Sequence, residues 1–251
     1  MKLAISNIAW GRHLDDEFLR FLRASGCDGL ELAPGLLDWK DLDTEESALV
    51  AMLGGTGLEM VGLHSLLFEV PHLRIVDKTQ WQILLEHCDK LTGYCKRLGG
   101  RYMVFGSPGS RSLEGCSAEA AWNLAVEFFR QLAQMAAAHD IVYLIEPLPT
   151  AEIVRNSKEG VAMVTAVAHV HFALHLDIRT MVCDGEDPST IIDQRPFLRH
   201  VHIGGPDLGF IGPDDGIQHM AFARALDAAG FDGYVTLEML RQTDAPDLPR
   251  L

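Results

Sequence analysis

Residues 141–178 read IVYLIEPLPTAEIVRNSKEGVAMVTAVAHVHFALHLDI. Two apolar runs, YLIE and FALHLD, each end in a carboxylate, Glu146 and Asp177, with a helical stretch from about Lys158 between them. Strand, helix and strand in that order make a parallel βαβ unit. A carboxylate that closes a run such as YLIE is costly to desolvate unless something positive meets it. Two further runs repeat the pattern downstream: LRHVHIGG carries His202 and GYVTLEML carries Glu238. The four residues are 31, 25 and 36 positions apart, close to one βα unit each. Eight such units fill about 250 residues, and the chain has 251. The spacing predicts an α/β fold, a (β/α)8 barrel, over residues 1–251 as one domain, with a metal site at the strand ends.

The rest of the chain supplies the other strands: Leu3–Ile8, Gly29–Pro34, Glu59–Leu66, Arg101–Pro108, Ile141–Leu148, Phe172–Ile178, Leu198–Gly204 and Tyr234–Leu240. They are near-continuous apolar runs, as expected of parallel strands covered on both faces. Helices are predicted from Asp15 or Asp16, from Thr44 to Met52 with Gly54-Gly55 as the stop, and from Asp77 to Leu98. Others run over Ser117–Ala138, from Lys158, near Pro188–Asp193, and from Ile217 to Ala229. The tail RQTDAPDLPRL is broken by two prolines, which predicts an outer helix ring left incomplete after the eighth strand.

Composition narrows the function. With 48% hydrophobic and 22% charged residues the chain is ordinary for a globular protein. The formal net charge of −14 argues against nucleic acid as a partner and favours cations or neutral small molecules. Five cysteines, an odd number without a CxxC pair, suggest a reduced chain. The opening MKLAISNIAW meets charge at once and does not read as a signal peptide. No run is long enough to span a bilayer. These features predict a cytoplasmic protein that binds no membrane.

Glu146, Asp177, His202 and Glu238 fall at C-terminal strand ends, where barrels of this kind place their active sites. Three carboxylates and one imidazole suit one divalent ion, Mn, Mg, Co or Zn. His64, closing the third strand, is a candidate for substrate hydroxyls, and Trp10 and Phe68 are aromatics that could stack on a sugar face. His175 and His200 share the strand faces of Asp177 and His202, one layer deeper, and are read as core histidines. Glu31 is expected to orient His64 or to pair with an arginine. Arg12, Arg111 and Arg179 are candidate anion contacts, with surface positions as the plainer reading. Nucleotide-binding glycine patterns and a GxSxG elbow are missing from the sequence.

These motifs, YLIEP, HLDI, HVHIGG and VTLEM, together with ISNIAW, GLEL and GLHS, resemble the xylose-isomerase-like TIM barrels over nearly the whole chain. That family includes D-tagatose 3-epimerase, hydroxypyruvate isomerase and inosose dehydratase. The resemblance implies that Glu146, Asp177, His202 and Glu238 hold one catalytic metal, with Glu146 and Glu238 also as the acid/base pair. Two departures bear on substrate. Epimerases of the group usually show Asp-x-x-His on the sixth strand, where this chain has Thr180; they also carry an arginine after the seventh-strand histidine, where this chain has GGPDLG. In the relatives both missing residues contact substrate. The resemblance also implies a homo-oligomer, since dimers and tetramers are common in the group.

The expected activity is a sugar isomerase or epimerase working by proton transfer beside a carbonyl, through a metal-stabilised enediolate. The substrate would be a small sugar or keto-polyol, with His64, Trp10 and Arg179 among its contacts. The alternative on the same site is a lyase, such as a keto-polyol dehydratase or an enzyme eliminating the aglycone of a 3-keto-glycoside. From another class, the chain would be a non-catalytic barrel binding a sugar or a partner. The nuclease branch of the superfamily, with extra histidines and a basic surface, fits this acidic chain poorly.

Overall fold

Strand pairing joins the two ends of the chain: Ala4 of β1 (Lys2–Ser6) lies in parallel register with Thr236 of β8 (Tyr234–Leu237). The computed structural model describes residues 1–11, 14–36 and 42–241. Between those two strands run β2 (Gly29–Leu32), β3 (Glu59–Leu63), β4 (Tyr102–Phe105), β5 (Val142–Ile145), β6 (Phe172–Asp177) and β7 (Leu198–Ile203). Each strand pairs with the next, and the order β1 to β8 closes into a barrel. Closure removes sheet edges altogether.

The helices alternate with the strands as α1 (Asp16–Ala24), α2 (Leu42–Thr56), α3 (Trp81–Arg97), α4 (Ala118–Ala137), α5 (Ser157–Val167), α6 (Ile178–Cys183), α7 (Thr190–Gln194) and α8 (His219–Ala228). Side chains start several of them. Asp15 Oδ1 accepts the Phe18 amide at 2.8 Å, Asn156 Oδ1 the Glu159 amide at 3.0 Å and Ser117 Oγ the Ala120 amide at 3.2 Å. Three expectations need correction. Gly54-Gly55 do not stop α2, which continues through them to Thr56 and ends at Gly57 with φ +73°. α6 was not foreseen: it springs directly from β6, with Asp177 as its cap. α2 also begins at Leu42, two residues before the start expected at Thr44. The broken tail from residue 242 lies outside the described residues. The described helices include none long and apolar enough to cross a membrane. All five cysteines are free.

Strand alternation sorts the core into two parts. Outward residues such as Leu30, Phe105, Tyr143, Ile145, Leu174 and Val201 pack under the helices in one large apolar cluster. Within it Phe129 meets Phe105 at 5.2 Å and Phe172 at 5.0 Å between ring centroids. The inward apolar cluster is small: Val104, Leu144 and Ala173, with Tyr102 and Val142 against it. Above it the inward positions turn polar. Glu31, His175, His200 and Thr236 are fully buried in the barrel, and the layer toward the C-terminal ends carries the chemistry.

Candidate active site

Four strands in succession deliver the predicted carboxylates and imidazole to one end of the barrel. Glu146 follows β5, Asp177 closes β6, His202 lies in β7 and Glu238 follows β8. Parity explains the delivery: each shares the inward face with a residue two positions earlier, Leu144, His175, His200 and Thr236. Ligand atoms of Glu146, His202 and Glu238 all lie within 4.8 Å of one another. Asp177 stands outside that trio. Its Oδ1 accepts the Arg179 amide at 2.8 Å and its Oδ2 accepts Arg179 Nη2 at 3.0 Å. Gly106, next to β4, makes room for the trio, since a Cβ there would overlap Glu146 Oε2.

His202 is oriented from below. Glu31 Oε2 accepts from His202 Nε2 at 3.0 Å and from His200 Nε2 at 2.8 Å. Both ring nitrogens facing this carboxylate are therefore donors. That fixes the His202 tautomer and turns Nδ1 toward Glu238 Oε2, at 3.4 Å, without a hydrogen-bond partner. Glu31 thus orients His202 rather than His64, and pairs with two histidines rather than an arginine. His64 is held by Ser6 Oγ, 2.6 Å from its Nε2, while its Nδ1 lies 3.2 Å from Glu238 Oε1. His200 is no mere core filler, and His175 has no hydrogen-bond partner at either ring nitrogen among the described residues. His175, His200 and His202 form a second group close enough to share an ion, but Glu31 already occupies two of its nitrogens.

The electrostatics separate the two glutamates. Burial, then the nearby charges of Glu238 and Asp177, push Glu146 up to about 8 against the opposing pull of His202 and Arg111. Burial also works against the charge of Glu238, but His202 and His64 together outweigh it and hold Glu238 well below the usual carboxylate range. Asp177 is raised by burial and by Glu238. Burial opposes a charge on His202, yet Glu31 and Glu238 hold it well above the ordinary imidazole value. Burial, followed by the neighbouring histidines, keeps His175 well below that value and thus neutral.

This donor set fits a divalent cation on its own chemistry. Burial, reinforced by the neighbouring carboxylates, leaves a proton on Glu146, a state that a cation at this point would relieve. An imidazole nitrogen, buried, unpartnered and locked by a carboxylate behind it, faces them. Glu146, His202 and Glu238 would hold the ion, with Asp177 beside them once released from Arg179.

The remaining predicted residues are distributed differently. Trp10 is not a stacking platform: it is 7% exposed and packs in the core with its ring 5.0 Å from Phe18. Phe68, by contrast, is 76% exposed and lines a cleft of about 240 Å³ with Ser65, Leu67, Pro71, Ser107 and Pro108. Arg179 is engaged by Asp177. Arg111 is wholly buried, contrary to the surface position expected for it. Arg12 lies outside the described residues. The sequence held a signal for the Glu31 arrangement, because His-x-His on one strand puts both rings on the same face. It held none for Arg111.

A closed parallel barrel with three acids and a histidine at its C-terminal mouth defines a (β/α)8 protein with a candidate metal site. The chain belongs to the xylose isomerase-like TIM barrel family, whose model matches residues 19–250. It is 24% identical to the ketose 3-epimerase of Arthrobacter globiformis over 270 aligned positions, covering 100% of this chain and 88% of that one. The fold is similar to that of the 3-keto-D-glucoside 4-epimerase YcjR of E. coli, with TM-score 0.78, 21% identity and coverage of 98% and 94% of the two chains. It is also similar to the IolI protein with a bound zinc atom, with TM-score 0.74, 18% identity and coverage of 96% and 90%. The family is thus sugar epimerase- and isomerase-like.

Proposed function

We propose that this chain is a divalent-metal-dependent epimerase or isomerase of a small keto-sugar or keto-polyol. The observation that carries the reading is the convergence of Glu146, His202 and Glu238 within 4.8 Å at the barrel mouth. Two buried carboxylates with opposed proton affinities are the arrangement an acid/base pair requires. When bound, the ion supplies Lewis acidity toward a carbonyl and its neighbouring hydroxyl.

The residues of the chain do the rest. One glutamate takes the proton from the carbon beside the carbonyl, and that C–H electron pair moves toward the carbonyl oxygen to give an enediolate. The other glutamate returns a proton to the same carbon from the opposite face for epimerisation, or to the neighbouring carbon for isomerisation, in which case the hydroxyl proton passes to the former carbonyl oxygen as the new carbonyl forms. Glu238, held ionised by His202 and His64, is placed to accept; Glu146, which gives up its own proton where the ion binds, would draw the proton it returns from a substrate hydroxyl. His64, with Nε2 on Ser6 Oγ and Nδ1 beside Glu238 Oε1, has both ring nitrogens engaged and steadies that carboxylate.

Support also comes from the ketose 3-epimerase relative. The test is turnover of a panel of ketoses in deuterated water with added Mn, Mg, Co or Zn. Wild type should wash deuterium into the carbon beside the carbonyl, and Glu146→Gln and Glu238→Gln should each lose at least a hundredfold in kcat. Intact turnover in both variants refutes the assignment.

A lyase on the same site is the second reading. Thr180 bonds to the Asp177 and Pro147 carbonyls where epimerases of the group place a substrate-contacting histidine. An unsaturated product in place of an epimer would decide for it.

A further inference from the structure

Arg111 touches none of the acidic side chains of the site, and its surroundings are unusual for a cation. It ends the 3-10 turn after β4 and is fully buried. Its hydrogen bonds go to main-chain carbonyls instead of a carboxylate. Nη1 donates to Ile153 at 3.0 Å and Val154 at 2.9 Å, and Nη2 donates to Glu146 at 2.9 Å. A side chain that merely filled this volume would be apolar, because a buried guanidinium is costly without acceptors. Burial lowers its pKa to about 10, which leaves it charged at neutral pH.

The three acceptors bracket one segment. Glu146 is its first residue, and Val154 is near its end. Val154 is β-branched and buried with φ +64°, a left-handed conformation that such residues rarely adopt. Its carbonyl also accepts the Leu148 amide at 3.2 Å, so the segment folds back on itself. Two neighbouring loops are tied to the same point. The Leu113 amide donates to Glu152 Oε2 at 2.9 Å, and the Ile75 amide donates to the Ser110 carbonyl at 3.0 Å. A planar fork with several fixed donors can hold both ends of this segment at once; a lysine ammonium on a flexible stem cannot do so with the same geometry.

We propose that Arg111 is a positioning residue that clamps the β5 exit between Glu146 and Val154 and thereby fixes where the Glu146 carboxylate points. Its consequence for cation binding rests on the site reading above. The clamp itself does not.

Hydrogen exchange of the metal-free protein and Mn2+ titration test the two parts separately, on Arg111→Lys and Arg111→Met, with folding checked by circular dichroism. Amides of residues 147–154 should exchange at least tenfold faster in Arg111→Lys, while those of β6 and β7 stay within twofold of wild type. The Kd for Mn2+ should rise at least tenfold. Val154→Gly added to Arg111→Lys should recover at least threefold of that loss, because glycine adopts the left-handed conformation unaided. Unchanged exchange overturns the proposal. So does faster exchange with Mn2+ affinity within twofold of wild type, which would mark a side chain that only fills the core. If wild type binds none of Mn, Mg, Co and Zn, the metal reading fails, and exchange alone decides whether Arg111 is the clamp.

Discussion

Loading the site with a cation should expel protons, and the number follows from the side chains that surround it. With Glu146 at about 8, roughly nine in ten molecules of metal-free protein carry its proton at pH 7. His202, held well above its usual value by Glu31 and Glu238, carries a second. Both must leave before carboxylate and imidazole can bind a cation. Binding at pH 7 should therefore release between about one and two protons per ion, and each released proton makes affinity rise roughly tenfold per pH unit. Calorimetric titration of Mn2+ in two buffers of different ionisation enthalpy reads the number directly. At pH 9 the Glu146 share should fall to about a tenth of a proton. The same shifts set the stability of the metal-free protein. A carboxyl raised from 4.5 to about 8 binds more protons folded than unfolded across that window, so stability falls as pH rises through it, by up to about 5 kcal/mol. His202, raised above 6.5, acts in the same direction: its contribution is fully present below 6.5 and is lost as pH passes its folded value. Release of less than about half a proton at pH 7, or affinity unchanged from pH 6 to 9, would refute this account of the charges.

Two substitutions probe the support of the site. Glu31→Gln weakens two charge-assisted hydrogen bonds to neutral ones; it should lower the thermal stability of metal-free protein at pH 6 by about 2–3 kcal/mol and weaken Mn2+ binding ten- to a hundredfold. Affinity within twofold of wild type would show that His202 needs no such partner. Gly106→Ala places a methyl group against Glu146 Oε2 and should lower Mn2+ affinity at least tenfold, with about 1–3 kcal/mol lost in stability. A calorimetric titration alongside a melting curve separates the two effects.

The strand-end placement of Glu146, Asp177, His202 and Glu238 was legible because strand parity and strand-end position are local properties. A carboxylate closing YLIE or HLD announces both its face and its cost. His-x-His shows that His200 and His202 share a face, but not that Glu31 meets them: it is 169 and 171 positions away, and only barrel closure brings β2 and β7 within reach across the interior. Arg111 lies in a loop rich in serine and glycine, a composition that gives no sign of burial. Trp10 follows β1 as an aromatic in a loop should, yet the short turn after Ser6 folds it back onto Phe18. The pair Gly54-Gly55 signalled a stop that α2 overrides. Helix propensity is a weak prior, and α2 also packs against α1.

The barrel divides its labour unevenly around the ring. Glu146, Asp177, His202 and Glu238 all stand on β5 to β8, while Ser6, Glu31 and His64, which steady them, come from β1 to β3. A descendant of this sequence could therefore retune the basicity of its imidazole or the reach of Glu238 through changes confined to residues 1–64. The four strand-end side chains of β5 to β8 would be left in place, so new reactivity could arise without disturbing the proposed cation site.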